Sequence, residues 1–245
     1  MFAQVFKENP YHDPQNGQFT SKQGGWKKVG TNLGSNPGGK HEHAGKTYYV
    51  KFPHAAGQAH AEEAADKIYE MMGVTTLKHS AQTINEKTAS TNEWQDVNQF
   101  GSSGWKHLSD KNKQVAANAY VASALTKNWD VVGMTHDNMG FDKAGRVTIF
   151  DTGGSFKHRA QGGSKNYDSD PMPDLLGMLD ISKTSGRVFA PLMRDNREMF
   201  VKAAHKLKAI PDTALKNSVR GMGDDSIPAT IVARKKAILR FLGVR

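Results

Sequence analysis

Between Asn128 and Gly162 the chain reads NWDVVGMTHDNMGFDKAGRVTIFDTGGSFKHRAQG. An acid (Asp130), an Asp-Asn pair (Asp137-Asn138) and a second acid (Asp151) fall close together, and Thr152-Gly153-Gly154 follow the last of them. Asn138 and Asp151 lie thirteen residues apart, which leaves room for a strand, a tight turn and a return strand. Amide and carboxylate oxygens at the ends of paired strands suit a hard cation such as Mg²⁺. A further carboxylate nearby suits the removal of a proton from an attacking hydroxyl. The chemistry to which this pattern points is phosphoryl transfer from a nucleoside triphosphate to an acceptor.

Such a site needs a phosphate-binding half, and the upstream sequence offers one. Gly30, Gly34, Gly38 and Gly39 surround Ser35-Asn36-Pro37. Glycines let backbone N–H groups approach phosphate oxygens with no side chain in the way. Gly34 to Lys40, GSNPGGK, nearly fits the spacing of a P-loop, but His41 stands where a Ser or Thr should hold Mg²⁺. The loop also runs into a strand rather than a helix, so the P-loop reading is rejected. A glycine loop followed by a strand carrying a Lys suits a kinase small lobe better. That Lys is Lys51, within YYVKF at a strand position that would ordinarily be apolar. Glu62 and Glu63, early in the next helical segment, stand at a suitable distance to pair with it.

The elements that must position these residues are legible in outline. Trp26–Val29 starts a strand, Gly30–Gly45 reads as a glycine-rich loop with a turn at Ala44-Gly45, and Lys46–Pro53 is a strand. Gln58–Met72 is a helix of good helix formers with Gly73 as its stop. Val74–Leu77 and Ala81–Ile84 read as short strands, Asn85–Gly104 as a polar inter-lobe linker, and Lys111–Lys127 as a helix. Helices follow at Met172–Leu179, Pro191–Leu207, Pro211–Arg220 and Pro228–Leu242, with first-turn positions expected for Pro191, Pro211 and Pro228. Strands with one helix, then mostly helices, make an α+β pattern in two lobes. The expected division is a flexible arm over 1–25, a small β-rich N-lobe over 26–95 and a larger, mainly helical C-lobe over 96–245.

The chain of 245 residues can bury a sizeable core, and its lack of cysteine rules out disulfides and thiolate metal sites. No apolar run approaches the ~20 residues that span a membrane. MFAQVFKENPYHD does not read as a signal peptide, since its apolar run is short and acids follow at once. The net charge of +9 favours phosphate-bearing partners. Its local concentrations, Lys202–Lys208 and Arg234-Lys235-Lys236 with Arg240, read as solvated basic helix faces rather than a nucleic-acid patch. His41, His43, His54 and His60 lack any ligand frame and read as nonligating.

Taken together, GSNPGG (Gly34–Gly39), YYVKF (Tyr48–Phe52), QAHAEEAADKIY (Gln58–Tyr69), NWDVVG (Asn128–Gly133), Asp137-Asn138, DTGGSFKHRAQG (Asp151–Gly162) and ARKKAILRF (Ala233–Phe241) carry a resemblance. Over residues 26–245 the chain resembles an atypical kinase-like domain of bacteriophage-encoded proteins, often found beside head-morphogenesis modules. That family is distantly similar to HipA-like and phosphoinositide-kinase-like folds. The arm Asn9–Gly25 resembles a short motif of phage head-associated proteins. The resemblance implies a two-lobed protein-kinase-like fold, ATP and Mg²⁺ as cofactors, and a place in the phage virion or the host cytoplasm, beside phage or host proteins. It implies that Gly34, Ser35, Asn36, Gly38 and Gly39 cover the phosphates, and that Lys51, held by Glu62, contacts them. Asn138 and Asp151 would bind Mg²⁺, Gly153-Gly154 would turn the chain beneath the nucleotide, and Arg159 would order the following loop or hold an acceptor anion.

The base departs from the ordinary pattern. Kinases place it five residues before the metal-binding Asn, and here that position is Gly133. Asp130, carried by NWDVVG, is the expected base, with His136 second. The acceptor stays open among protein, lipid and small molecule. The rival readings are a catalytically weak pseudokinase that serves as a phage structural or interaction module, and a basic nucleic-acid-binding protein, which is disfavoured.

Overall fold

The computed structural model describes residues 25–33, 36–55, 57–101 and 103–244. The expected arm over 1–25 and the loop residues Gly34 and Ser35 therefore lie outside the described residues, apart from Gly25 itself.

Five strands form an antiparallel sheet: β1 (Lys27–Lys28), β2 (Gly38–His43), β3 (Lys46–Lys51), β5 (Ser80–Ile84) and β6 (Lys87–Glu93), in the order β1-β2-β3-β6-β5. The expected turn at Ala44-Gly45 joins β2 to β3, with φ of 49° and 75°. Two successive left-handed residues give the tight hairpin turn whose twist matches the flanking strands. The glycine-rich segment is thus only partly loop, because its second half is β2. There Gly38 faces Lys51 and Gly39 faces Val50 in the register. Both glycines have positive φ, 151° and 126°. A Cβ on Gly38 would lie 2.0 Å from the Val50 carbonyl oxygen, and one on Gly39 would lie 2.3 Å from that of Thr31. These glycines let backbones touch.

The first part of the expected linker Asn85–Gly104 is instead a strand, since β6 lies inside the sheet between β3 and β5. Asn85 and Glu86 make another left-handed turn, with φ of 49° and 64°. The strand KTASTNE is polar, yet Ser90, Thr91 and Asn92 are buried alongside Ala89. Its backbone pairs on both edges, which satisfies the ladder groups that its small polar side chains could not bury alone.

Helix α1 (Gln58–Met71) packs on β5 and β6 on one side and on α2 (Asp110–Thr126) and α6 (Asp212–Val219) on the other. Ala61, Ala65, Ile68 and Met72 of its expected inner face are all buried. A second sheet, in the order β4-β9-β8-β7, comprises β4 (Thr75–Thr76), β7 (Asn98–Gln99), β8 (Met139–Phe141) and β9 (Val147–Ile149). The β8–β9 hairpin is the one expected between Asn138 and Asp151. Asp142 ties its turn by accepting the Ala144 and Arg146 amides at 2.9 Å each.

The remaining chain is helical: α3 (Met172–Gly177), α4 (Thr184–Asp195), α5 (Arg197–Ala209) and α7 (Ile227–Phe241). The single helix expected over Pro191–Leu207 is two, broken where Asn196 leaves the helical region at φ −142°, ψ 48°. Pro191 lies inside α4 rather than in a first turn. Pro211 caps α6, and Pro228 does sit in the first turn of α7. The basic tail is also not a solvated face throughout. Arg234 is fully buried and donates to the carbonyls of Ala124, Asp168 and Asp170 and to the Asp174 carboxylate. Lys235 is buried and donates to Ile210 O and Asp212 Oδ1. No described helix is long and apolar enough to cross a membrane.

Candidate functional site

The first sheet meets the helical body where β3, α1 and the end of β9 converge. Lys51, the last residue of β3, points into this junction and is 5% exposed. Its Nζ lies 2.6 Å from Glu62 Oε1 and 3.4 Å from Asp151 Oδ1. Burial works against its charge, but Asp151 and Glu62 outweigh burial and raise its pKa above the ordinary lysine value. The carboxylate expected for Lys51 is therefore Glu62. Glu63 turns outward to Lys67 and the Ala81 amide.

Glu62 belongs to a polar stripe on α1. Gln58, Glu62 and Asp66 are spaced four apart, which stacks them on one helix face, and all three are buried. Gln58 donates to the Gly153 carbonyl at 2.9 Å. Asp66 accepts the Thr152 hydroxyl at 2.7 Å, the His79 ring at 2.8 Å and the His79 amide at 2.7 Å. His79 Nε2 also lies 3.7 Å from Glu62. Burial lowers the His79 pKa, but Glu62 and Asp66 overcome this and push it up to about 9. The sequence reading missed Gln58, Asp66, His79 and Thr152. The signal was present as three polar residues at helical spacing in an otherwise alanine-rich face.

Asp151 lies two residues past the end of β9, and its side chain remains 35% exposed. The Gly153 amide donates to its Oδ1 at 2.7 Å. Burial pushes its pKa up, while Lys51, the Gly153 amide and His79 together hold it below the ordinary value. A Cβ on Gly153 would sit 2.9 Å from Asp151 Oδ1 and 3.4 Å from Lys51 Nζ, so glycine there keeps the space between the two charges.

Asn138 precedes β8 and stands across the hairpin from Phe150, whose amide it accepts on its backbone carbonyl at 2.8 Å. Its amide nitrogen donates to the Asp130 carbonyl at 2.8 Å and reaches Asp130 Oδ2 at 3.4 Å. Asn138 and Asp130 are thus bonded to each other, and the charge of Asp151 is felt at Asp130. Asp130 is reached through Lys127, which ends α2 at φ 58° and turns the chain toward the hairpin. Burial, then Asp151, then Asp137 raise the Asp130 pKa to about 6. Gly133, at the ordinary position of a kinase base, is the pivot of this loop. With φ 81°, it would carry a Cβ 2.1 Å from Asp137 Oδ1.

His136 takes up a different position. Its ring stacks against Trp105, with centroids 6.4 Å apart and planes 13° apart. Burial and Arg187 lower its pKa. The structure gives it no hydrogen bond to Asp130, Asn138 or Asp151.

Lys165, also missed in the sequence, closes the floor of the site. Its Nζ donates to the carbonyls of Lys127 and Gly154 and lies 4.2 Å from the Trp129 ring centroid. Arg159 orders the loop after the site, with its amide bonded to Gly163 O and its Nε to Ser164 O. Of the expected phosphate loop, Asn36 is buried with its Oδ1 unpartnered, and the space at Gly38 and Gly39 is filled by the protein's own backbone. Among the described residues, no three His, Asp or Glu side chains cluster as a metal site. His43 instead stacks on Trp26, and His41 bonds the Gly39 carbonyl.

A β-rich small lobe with a buried Lys–Glu pair, joined to a mainly helical lobe that presents Asp130, Asn138 and Asp151, makes a two-lobed, kinase-like α+β fold. No protein-family model matches the chain, and no curated protein matches it. Among solved structures, the chain is similar to the proinflammatory kinase CtkA of Helicobacter pylori, with a TM-score of 0.45 and 14% identity, covering 87% of this chain and 95% of that one. A likeness this loose carries no residue role from that kinase to this chain.

Proposed function

We propose that the protein is a phosphotransferase that uses ATP and Mg²⁺. The observation that carries this reading is the contact of one buried lysine, Lys51, with both Glu62 at 2.6 Å and Asp151 at 3.4 Å. That contact joins the two lobes at a cation flanked by a partly exposed carboxylate.

The residues fit the chemistry. Asn138 spends its amide nitrogen on Asp130, which leaves its oxygen as the free ligand atom. Mg²⁺ takes few protein ligands when substrate phosphates supply the rest, and an Asp with an Asn is the set that kinases use. Asn138 and Asp151 would hold the ion, which when bound would neutralise charge on the transferring phosphoryl group. Lys51, fixed by Glu62, would contact the phosphates. Asp130, anchored on the Asn138 amide, would accept the proton of the acceptor hydroxyl. The chain supplies positioning and charge, which dominate catalysis of this reaction. Gly34, Ser35 and Asn36 would lie over the phosphates, with Gly38 and Gly39 setting the path of β2 behind them. The motif resemblance supports a bacteriophage source, with action in the virion or the host cytoplasm.

The second reading is a pseudokinase, and Gly133 at the ordinary base position favours it. Incubation with γ-labelled ATP and host lysate separates the two. Wild type should label an acceptor, and Asp151→Ala should lose at least about a thousandfold of that label. A label pattern unchanged by Asp151→Ala would sink the mechanism. Mg²⁺-dependent thermal stabilisation by ATP without any label would leave the pseudokinase.

A further inference from the structure

Beside Asp130 the surface opens into a cavity of about 460 Å³, lined among others by Trp129, Asp130, Met134, Gly177, Lys183 and Ser185. Around it lies an unusual concentration of exposed apolar side chains. Five large hydrophobic residues are exposed among those described, and four of them are Trp129 at 40%, Met134 at 82%, Leu176 at 55% and Ile181 at 71%. Trp129 and Met134 belong to the cavity wall, Leu176 adjoins Gly177, and Ile181 lies in the loop between Gly177 and Lys183. The rim is held in place. Ser185 donates to the Trp129 carbonyl at 2.9 Å and Thr184 to that of Met134 at 3.3 Å, which ties α4 to the Asp130 loop. The 180–181 loop lies against Gly186, where a Cβ would come within 1.9 Å of the Asp180 carbonyl oxygen.

We infer that this rim is the acceptor-docking surface, and that its occupant is a polypeptide segment presenting a hydroxyl with an apolar side chain beside it. Three observations select that occupant. The cavity includes Asp130, so whatever fills it brings a group to the candidate base. A small molecule filling the cavity would leave Leu176 and Ile181, which lie outside its wall, in water, whereas an extended chain lying across the mouth covers them. The charges at the cavity are mixed, with Asp130 and Asp174 beside Lys183, and Lys183 lies 3.6 Å from Asp180. An anionic bilayer calls for a basic ring around the apolar residues. The exposed lysines of α5, Lys202, Lys206 and Lys208, lie elsewhere.

The role of Asp130 in this inference rests on the phosphotransferase reading, but docking itself does not, so binding is measured first. The probes are two fluorescein-labelled peptides centred on Ser, one flanked by Leu and Phe and the other by Asp, together with vesicles of phosphatidylcholine and phosphatidylserine. Wild type should bind the apolar peptide at least about tenfold more tightly than the acidic one. The double variant Met134→Asp, Ile181→Asp should lose about tenfold in that affinity. Leu176→Asp carries the same test if the double variant does not fold. Equal affinity for the two peptides, affinity untouched in a folded variant, or rim-dependent binding to vesicles would each overturn the proposal. Transfer from Mg·ATP to the bound peptide is then read separately. Rim-dependent binding without transfer supports docking and counts against the phosphotransferase. Transfer that ignores the rim variants overturns docking and leaves the phosphotransferase standing.

Discussion

The five-stranded sheet and the helical body are built on different physics. In the body, buried residues from α1, α2 and every later helix merge into one core, with Tyr120 meeting both Phe189 and Phe200 edge-on at 5.3 Å. Among the described residues, the sheet has a separate cluster of Val50, Ile84 and Ala89, with Trp26, Tyr48 and Phe52 partly buried against it. Its cohesion comes from ladder hydrogen bonds, close glycine contacts and α1 packed on β5 and β6. A region with little apolar burial opens locally at lower free energy than a packed core. Asp130, Asn138 and Asp151 therefore stand on the firm region, while Lys51 and the glycine segment stand on the softer one. The two regions meet through the polar stripe of α1 and the Lys51–Asp151 contact.

The strongest way to break the firm region is at its buried cation. Arg234 is fully buried, paired with Asp174 and bonded to three carbonyls. Arg234→Ala leaves Asp174 buried without its partner. Loss of one member of such a pair costs about 3–5 kcal/mol, and urea unfolding should show a loss of that order. A loss below about 1 kcal/mol would mean that the body is not pinned there.

A smaller and more local effect is expected in the sheet. Gly38→Ala places a Cβ 2.0 Å from the Val50 carbonyl oxygen, in a backbone conformation that alanine resists. Strain of this kind costs about 1–3 kcal/mol. Hydrogen exchange should speed up in β2 and β3 and stay unchanged in α2. Equal loss of protection in α2 would show that sheet and body unfold as one unit, contrary to the comparison.

The same contrast explains what the sequence revealed. Elements with a clear run or period of apolar residues, such as β3, α1 and α2, were legible, and the β8–β9 hairpin was legible from the spacing of Asn138 and Asp151. So was the Lys51–Glu62 pairing, because a charged residue in a β-prone run stands out. The strand β6 was not, because KTASTNE has only one apolar residue and is made a strand by its neighbours' ladders. Its turn was equally hidden, since Glu86 takes a left-handed conformation more often signalled by Gly. Arg234 and Lys235 looked like surface charge because composition carries no information about burial. The approach of Asp130 to Asn138 depends on the pivot at Gly133, and Lys165 reaches the site from a loop with no motif of its own. The Asp66–His79–Thr152 links join residues up to 86 positions apart, a distance over which periodicity is silent.

A further effect, read as a pH dependence, is expected where the two regions are joined. His79 is pushed from its ordinary 6.5 up to about 9 by Glu62 and Asp66, against the cost of burial and the nearby Lys51 charge. A group whose folded pKa is raised stabilises the fold fully below its unfolded value and loses that contribution as pH climbs through the folded one. The His79 contribution should thus be complete below about pH 6.5 and should fade up to about pH 9. Lys165 works in the opposite direction nearby. Burial lowers its pKa from 10.5 to about 7, so raising the pH between those values relieves a penalty. The two trends offset each other in a plain stability profile, so the difference between wild type and His79→Gln is the quantity to follow. Urea midpoints of the two proteins should lie furthest apart near pH 6 and converge toward pH 9. A separation that stays constant across this range would mean that neutral His79 serves the junction as well as charged His79. The His79–Asp66 link would then act as a hydrogen bond and not as an ion pair.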